Sequence, residues 1–324
     1  MRKNIAIVAG GDSSEWVVSM KSAEGLLTFI DSEKYTVYVV VLRDGQWVVT
    51  LHDGTKAVVD KNDFSFENDD EKVKFDFAYI TIHGTPGENG ILQGYFDLIG
   101  IPYSCCGVLA AALTFNKYMC NRYLSGFGVK VAKSVLLRKH QTLPTETILA
   151  EVGLPCFVKS NVGGSSFGVS KVKEASQMQP AIEGAFGEGD EVIIESFISG
   201  IEVTCGCYKT QEKSVVFPIT EVVSKNEFFD FEAKYNAEKA EEITPARISL
   251  ELTAEIQQRT SEIYDLLDCK GIIRADYIIA KDGVFLLEVN TTPGMTKTSF
   301  IPQQVRAAGL DIKDVMTDII ENEL

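Results

Sequence analysis

Four residues within positions 271–299 have types and spacing suited to binding and polarising a charged ligand. Arg274 and Asp276 lie two apart in one apolar run, and Glu288 and Asn290 lie two apart in the next. Side chains two apart share a face of a strand. Between the runs, Lys281-Asp282-Gly283 predicts a three-residue turn with glycine at a left-handed position. Pairing about that turn sets Asp276 opposite Glu288 and Arg274 opposite Asn290. Facing carboxylates repel by roughly 0.2–1 kcal/mol, so a cation belongs between them. Carboxylate and amide oxygens suit a hard ion, Mg²⁺ before Zn²⁺. The alternative is a surface hairpin with solvated charges, but the surrounding Ile, Val and Leu argue for burial.

A second candidate stretch runs Lys159-Ser160-Asn161-Val162-Gly163-Gly164-Ser165-Ser166-Phe167-Gly168, between predicted strands at 156–159 and 169–172. Gly and Ser let backbone N–H groups curl round phosphate oxygens. It is not a Walker loop, because the lysine precedes the glycines and no helix follows. Such loops also arise for conformational reasons alone. Lys159 at the strand end favours a phosphate-covering lid.

His83 is the first residue past a predicted strand and opens a loop with three glycines, Gly84, Gly87 and Gly90. Ligands of open α/β sheets sit at the carboxyl ends of strands, although a structural histidine fits the same position. Glu15 falls at a helix start, where the dipole alone explains a carboxylate. The functional alternative is an acidic hook for a substrate ammonium.

The elements that must position these residues follow from periodicity. A strand at 4–9, a Gly-rich turn and an amphipathic helix at about 15–30 predict the opening of a doubly wound α/β domain. Further strands are expected at 35–42, 76–82 and 101–103, a hairpin at 47–49, and an acidic loop at 62–74. Helices are expected at 91–99 and, as one long element, at 107–126. Then come a helix at 145–152, strands at 155–159 and 190–196, a helix at 174–186, and strands from 202 and at 215–223. An amphipathic helix at 252–269 delivers the chain into the 271–299 hairpin, and two helices close it.

The chain has 324 residues, 45% of them apolar, enough for two or three domains with real cores. Its formal charge of −15 argues against nucleic acid or an anionic membrane as the main partner. The seven cysteines and three histidines show no zinc-site spacing, and predict reduced, mostly buried thiols in a cytoplasmic protein. The apolar start is too short for a signal peptide, and no run is long enough to span a bilayer.

Eight motifs in order now carry a resemblance: GGDSSEWVVS (10–19), HGTPGENGILQG (83–94), NK (116–117), VKSNVGGSSFGVSKV (158–172), EVIIESFISGIEVT (191–204), EAKY (232–235), GIIRADY (271–277) and LLEVNTTPGMTKTS (286–299). Through them the chain resembles the D-alanine–D-alanine ligases of the ATP-grasp superfamily. The resemblance implies an N-terminal doubly wound α/β domain (1–115) followed by a two-lobed ATP-grasp fold, with a central lobe (116–198) and a C-terminal lobe (199–324). It implies transfer of the ATP γ-phosphoryl to one D-alanine carboxylate, attack by the amine of a second D-alanine, and loss of phosphate from a tetrahedral intermediate.

Carried over residue by residue, the resemblance makes Asp276, Glu288 and Asn290 ligands of two Mg²⁺ ions, with Mn²⁺ as a substitute. Lys117, Lys159 and Lys234 would contact phosphates, with Ser166 also on ATP. Glu195, Ser196, Phe197 and Ile198 would read adenine, and Glu202 the ribose. Arg274 and the Gly294 N–H would stabilise the oxyanion, and Ser299 would hold the second D-alanine carboxylate. Glu15 would bind the first ammonium beside His83. Glu15, Ser165 and Tyr235 would link to close the lid, and Tyr235 goes with D-alanine rather than D-lactate as second substrate. A homodimer is implied as well.

The chain departs from the family pattern at Trp16, Val17, Asn89, Asn116, Val162, Gly163, Phe229, Phe231 and Phe300. These positions bear on the lid and the second substrate rather than the reaction class. D-alanine–D-lactate or D-alanine–D-serine ligation is the near alternative. A nicotinamide dehydrogenase is opposed by the missing G-x-G-x-x-G, and a degenerate binding module by the intact charged set.

Overall fold

The computed structural model describes residues 2–51, 53–69, 71–163, 168–224 and 240–324. Three main sheets organise them. In the first, the strand Lys3–Gly10 pairs in parallel with Tyr35–Arg43 on one side and Phe77–Ile80 on the other. Gln46–Thr50 and Lys56–Val58 extend it antiparallel. Ile5 to Ala9 are fully buried, as an apolar run covered on both faces requires. The helix Trp16–Phe29 packs on this sheet through Ser19, Ser22, Ala23, Leu26 and Phe29.

The second sheet is four-stranded and antiparallel: Ser170–Val172, Cys156–Ser160, Glu191–Ser196 and Ser134–Arg138, in that spatial order. In the third, Gly200–Lys209 lies at the centre, between Thr220–Ser224 and Ile272–Ala280. Ala240–Ile243 and Gly283–Asn290 form its outer strands, and Ser214–Val216 also pairs with Gly200–Lys209.

Four expectations need correction. Residues 62–74 are not a loop: Ser65–Asn68 and Glu71–Lys74 form a hairpin. Its acidic groups face outward while Phe64, Phe66 and Phe75 are buried. The expected 107–126 helix is two, Val108–Phe115 and Lys117–Ser125. Asn116 breaks it with an extended ψ of 95° and caps the second helix by accepting from Met119 N. The expected 215–223 strand is interrupted at Pro218, which has no N–H for a ladder. Residues 101–103 make only an isolated bridge, Ala78 to Tyr103.

The cores show which parts are fused. One cluster joins Ile5, Ile7 and Leu26 to Met295, Ile301, Val305 and Met316, so the first sheet shares a core with the helices Phe300–Ala307 and Ile312–Glu323. Another joins Cys106, Cys120 and Leu124 to Ile273, Tyr277 and Leu286 of the third sheet and Ile256 of the helix Leu250–Leu266. Among the described residues, the second sheet's cluster runs only from Leu137 to Ile194 and draws on neither neighbour.

Candidate active site

The hairpin pairs Asp276 with Glu288 and Arg274 with Asn290, as the alternation predicts. The turn does not follow the prediction. Gly283 pairs with Ala280, so the loop has two residues, Lys281 and Asp282. One extra residue, Leu287, then shifts the register between Tyr277 and Asp276. This bulge cancels the one-residue error at the turn. Bulges commonly re-aim side chains beside active sites, and this one turns Glu288 to the face of Asp276.

Asp276 is the acceptor at the centre of a knot. Arg274 donates to both its oxygens, from Nε and a terminal nitrogen, each at 2.8 Å. Thr204 Oγ1 donates to Oδ1 at 2.6 Å, and Asn290 Nδ2 to Oδ2 at 3.1 Å. The planar guanidinium fits such a bidentate bond. Burial opposes the Arg274 charge, but Asp276, Glu288 and Glu88 outweigh it and hold Arg274 firmly cationic. Its guanidinium lies 5.3 Å from the centre of the Phe300 ring.

Two lysines face this knot from other elements. Lys117, at the start of its helix, lies 3.4 Å from Glu288 Oε2 and donates to the Gly163 carbonyl at 2.6 Å. Lys159, near the end of Cys156–Ser160, pairs with Glu195 Oε2 at 2.6 Å. Burial opposes its charge, yet Glu195 and Glu288 raise it above its ordinary range. A cation of the second sheet, Lys159, and one of the helix Lys117–Ser125 thus lie in the field of the third sheet's acids.

The N-terminal residues close the group. Glu15 is buried at the N-terminus of Trp16–Phe29 and makes no capping bond with its side chain. The dipole therefore remains as the structural account of a carboxylate here, without a capping bond. Gly84, beside it, has φ +75°, and a Cβ there would come within 3.3 Å of Ser13. Burial lowers the His83 pKa more than Glu15 raises it, and Arg274 lowers it further. A neutral imidazole results, and its buried Nε2 has no hydrogen-bond partner among the described residues. A buried polar atom of this kind calls for a partner, which a bound water or a ligand would supply.

The loop after the hairpin is held by the N-terminal helix. Met295 N donates to Ser22 Oγ at 3.2 Å, and a Cβ on Gly25 would lie 2.0 Å from the Met295 carbonyl. Gly294 faces Ser299, whose Oγ is 3.1 Å from the position of a Gly294 Cβ and accepts from Thr296 N at 3.0 Å. Ser299 itself opens the helix Phe300–Ala307.

Glu195 and Ser196 end the strand Glu191–Ser196, and Phe197 and Ile198 follow it. Ser196 N donates to Lys133 O at 2.9 Å and Phe197 N to Pro155 O at 3.2 Å. Lys171 Nζ lies 3.8 Å from the Phe197 ring centre. Glu202 pairs across the sheet with Ile278, on the face that carries Asp276. Ser165, Ser166, Lys234 and Tyr235 lie outside the described residues.

Sequence reasoning missed two members of this group. Glu88, in the His83 loop, accepts from Gly84 N at 2.7 Å. Its pKa is raised to about 8, first by burial and, less strongly, by Glu15 and Glu288. Its one sequence signal was a carboxylate among the glycines of that loop. Thr204 gave no signal, because only the strand register sets it opposite Asp276.

Among the described residues, no cluster of three or more His, Cys, Asp or Glu side chains is arranged for a metal. A cation here rests on two carboxylates and one carboxamide. Asn290 directs Nδ2 at Asp276, so its carbonyl oxygen is the end left to serve as a donor. With Glu288 opposite, this all-oxygen set fits a hard divalent ion. The arrangement as a whole can hold an anionic, phosphate-bearing ligand between the lysines and the acids.

Comparison with known proteins gives the family. Residues 4–106 match the family model described as D-ala D-ala ligase N-terminus, and residues 123–321 that described as D-ala D-ala ligase C-terminus. A D-alanine–D-alanine ligase of Bacteroides fragilis is 66% identical over 324 residues, 100% of both chains. The solved D-Ala:D-Ser ligase of Enterococcus faecalis is similar in structure, with a TM-score of 0.87 at 30% identity over 100% of both chains. The D-alanine–D-alanine ligase of Bacillus anthracis complexed with ATP has a TM-score of 0.79 at 27% identity, covering 99% of this chain and 97% of that one.

Proposed function

Because the chain belongs to the D-alanine–D-alanine ligase family, we propose that it joins two D-alanines into D-alanyl-D-alanine with conversion of ATP to ADP and phosphate. The product serves peptidoglycan precursor synthesis. The observation that carries this reading is the electrostatic convergence of residues far apart in sequence: Glu15 and His83, Lys117 and Lys159, and Arg274 with Asp276 and Glu288.

In this reading Glu15 takes the ammonium of the first D-alanine, and neutral His83 lies beside its carboxylate. Lys117, Lys159 and Lys234 hold the ATP phosphates, with Ser166 nearby. Glu195, Ser196, Phe197 and Ile198 read adenine, and Glu202 the ribose. The γ-phosphoryl passes to the first carboxylate as its bond to ADP breaks. Positioning and charge neutralisation do most of the work in such a transfer. The amine of the second D-alanine, held by Ser299, attacks the acyl phosphate. Arg274 and the Gly294 N–H stabilise the oxyanion, and phosphate leaves. Glu15, Ser165 and Tyr235 link the lid to the site. Asp276, Glu288 and Asn290 would hold Mg²⁺, as two ions with Mn²⁺ as a substitute, supplying charge neutralisation at the phosphates.

We divide the chain at 115/116 and 198/199. The helix break at Asn116 and the self-contained core of the second sheet support this. The helix Lys117–Ser125 bridges the units, since Cys120 and Leu124 pack with the third sheet. We assign the protein to the cytoplasm. Its seven buried free thiols fit a reducing compartment, and no helix among the described residues is long and apolar enough to cross a membrane. We assign a homodimer through the helices Ile91–Ile99 and Val108–Phe115, where Ile91, Leu98, Val108 and Leu109 are exposed. Apolar exposure of this kind marks interfaces, and light scattering that returns a single chain's mass would overturn it.

The deciding experiment is phosphate release with ATP, MgCl₂ and D-alanine, with D-serine and D-lactate as competitors and the products resolved. Release that requires all three components, and dipeptide as the main product, is expected. Release indifferent to D-alanine would sink the reading.

A further inference from the structure

We propose that Asn116, Asn161 and Glu191 form a positioning device for Lys117, and that it requires a neutral amide at position 116. The inference rests on the reading of Lys117 as a phosphate contact. Asn161 is fully buried just past Cys156–Ser160, and every polar group it has is used. Its N–H donates to Glu191 O at 2.9 Å, and its carbonyl accepts from Lys117 N at 3.2 Å. Its Oδ1 accepts from Tyr118 N at 2.8 Å. Its Nδ2 donates to Asn116 Oδ1 at 2.8 Å and Glu191 Oε2 at 2.7 Å. One side chain of the second sheet thus fixes the first turn of the helix that carries Lys117. The Lys117 Nζ then reaches across to Gly163 O and Glu288.

Asn116 is the residue whose charge matters. Its Oδ1 accepts from Met119 N at 3.0 Å and from Asn161, while its Nδ2 donates to Glu191 Oε2 at 3.2 Å. An amide accepts at one end and donates at the other, whereas an ionised carboxylate only accepts. A carboxylate would lose the donor and set like charges at contact distance. Among the described residues, Glu191 has one cation bonded to it, Arg138 at 2.9 Å on its other oxygen, and that arginine is half exposed. Screening limits what it can offset.

The test uses the full-length chain at saturating D-alanine and MgCl₂. Asn116→Asp should raise the KM for ATP about tenfold, the order of one lost charge-assisted hydrogen bond. The KM for D-alanine should stay unchanged. Adding Glu191→Gln to that variant should return part of the ATP KM, to within about threefold of wild type, because the glutamine amide donates to the new carboxylate although it no longer accepts from Asn161 Nδ2. Asn116→Ser keeps a helix-capping oxygen but has no amide donor. It should raise the ATP KM about threefold with a lowered but cooperative melt, since Asn161 loses one acceptor, and it covers the case in which Asn116→Asp does not fold. An unchanged ATP KM in whichever variants fold, or a rise that Glu191→Gln leaves in place, overturns the proposal. A wild-type chain with no D-alanine-dependent phosphate release would instead sink the functional reading.

Discussion

The second and third sheets hold their charges in different ways. In the third, Asp276 accepts from Arg274 twice, from Thr204 and from Asn290. In the second, the cation facing the site, Lys159, is held by an ion pair with Glu195, while the more networked Glu191 accepts from Arg138, Asn116 and Asn161. The cores differ in the same sense. The third sheet and its following helices share apolar clusters with the N-terminal sheet and the Val108–Ser125 region, while the second sheet has a core of its own. Residues that must hold one geometry are built into the fused body. The residues that approach from the second sheet are carried on a separately packed body, tied by Asn161 to the helix Lys117–Ser125 and by the Val131–Leu286 bridge to the third sheet. Different sensitivity to substitution follows, and it can be measured.

The largest effect is expected at Arg274. Arg274→Ala removes both charged donors from a buried carboxylate and leaves it two neutral ones. Breaking such a pair costs about 3–5 kcal/mol, and under the proposed function Arg274 is an oxyanion donor, whose loss costs on the order of 10²–10³ in kcat. Arg274→Lys should recover little, since a point ammonium cannot make the bidentate bond. Thermal melts and phosphate release check both. A variant as stable as wild type would mean the knot is not what holds this sheet face.

A smaller loss is expected at Glu195. Glu195→Gln removes the nearest counter-charge of Lys159, but Glu288 still acts on that lysine. We expect a rise of about tenfold in the KM for ATP, the order of a charged hydrogen bond. Hydrogen exchange sharpens the comparison. Glu195→Gln should deprotect Cys156–Ser160 and Glu191–Ser196, whereas Arg274→Ala should deprotect Ile272–Ala280 together with Lys3–Gly10. Equal spreading from both variants would show that the two bodies are not separately packed.

Much of this contrast was legible in the sequence. Alternation alone set Asp276 opposite Glu288, because period two survives wherever one face is buried. Lys159 was legible from its place at a strand end before glycines. The turn was misread, and the pairing came out right only because the Leu287 bulge compensates for it. A bulge is an unpaired residue with no composition of its own, so local pattern cannot show it. The break at Asn116 was hidden for a related reason. The residues around it favour helix, and the force that extends it comes from Asn161 and Glu191, forty-five and seventy-five positions away. Glu88 was read only as part of a loop because its environment is made by Glu15, Lys117 and Glu288, which are close only after folding.

Glu88 supplies the smallest and most specific prediction. Burial raises its pKa to about 8 from an ordinary 4.5, even though Gly84 N–H and Lys117 favour its ionised form. Because the folded-state value lies above the unfolded one, the stability linked to Glu88 is fully present below about pH 4.5 and is lost as pH rises through about 8. Ionisation there also adds a negative charge near Glu15 and Glu288, where the reading needs an acid to hold an ammonium and another to face phosphate. Glu88→Gln keeps an acceptor for Gly84 N–H and never ionises. It should retain activity at pH 7 within about threefold, a loss on the scale of one altered neutral hydrogen bond. Both its melting temperature and its kcat/KM should then fall less than those of wild type between pH 7 and pH 9. Variant and wild-type profiles that superpose across that interval would show that Glu88 does not change charge there, and that its place beside Gly84 is structural alone.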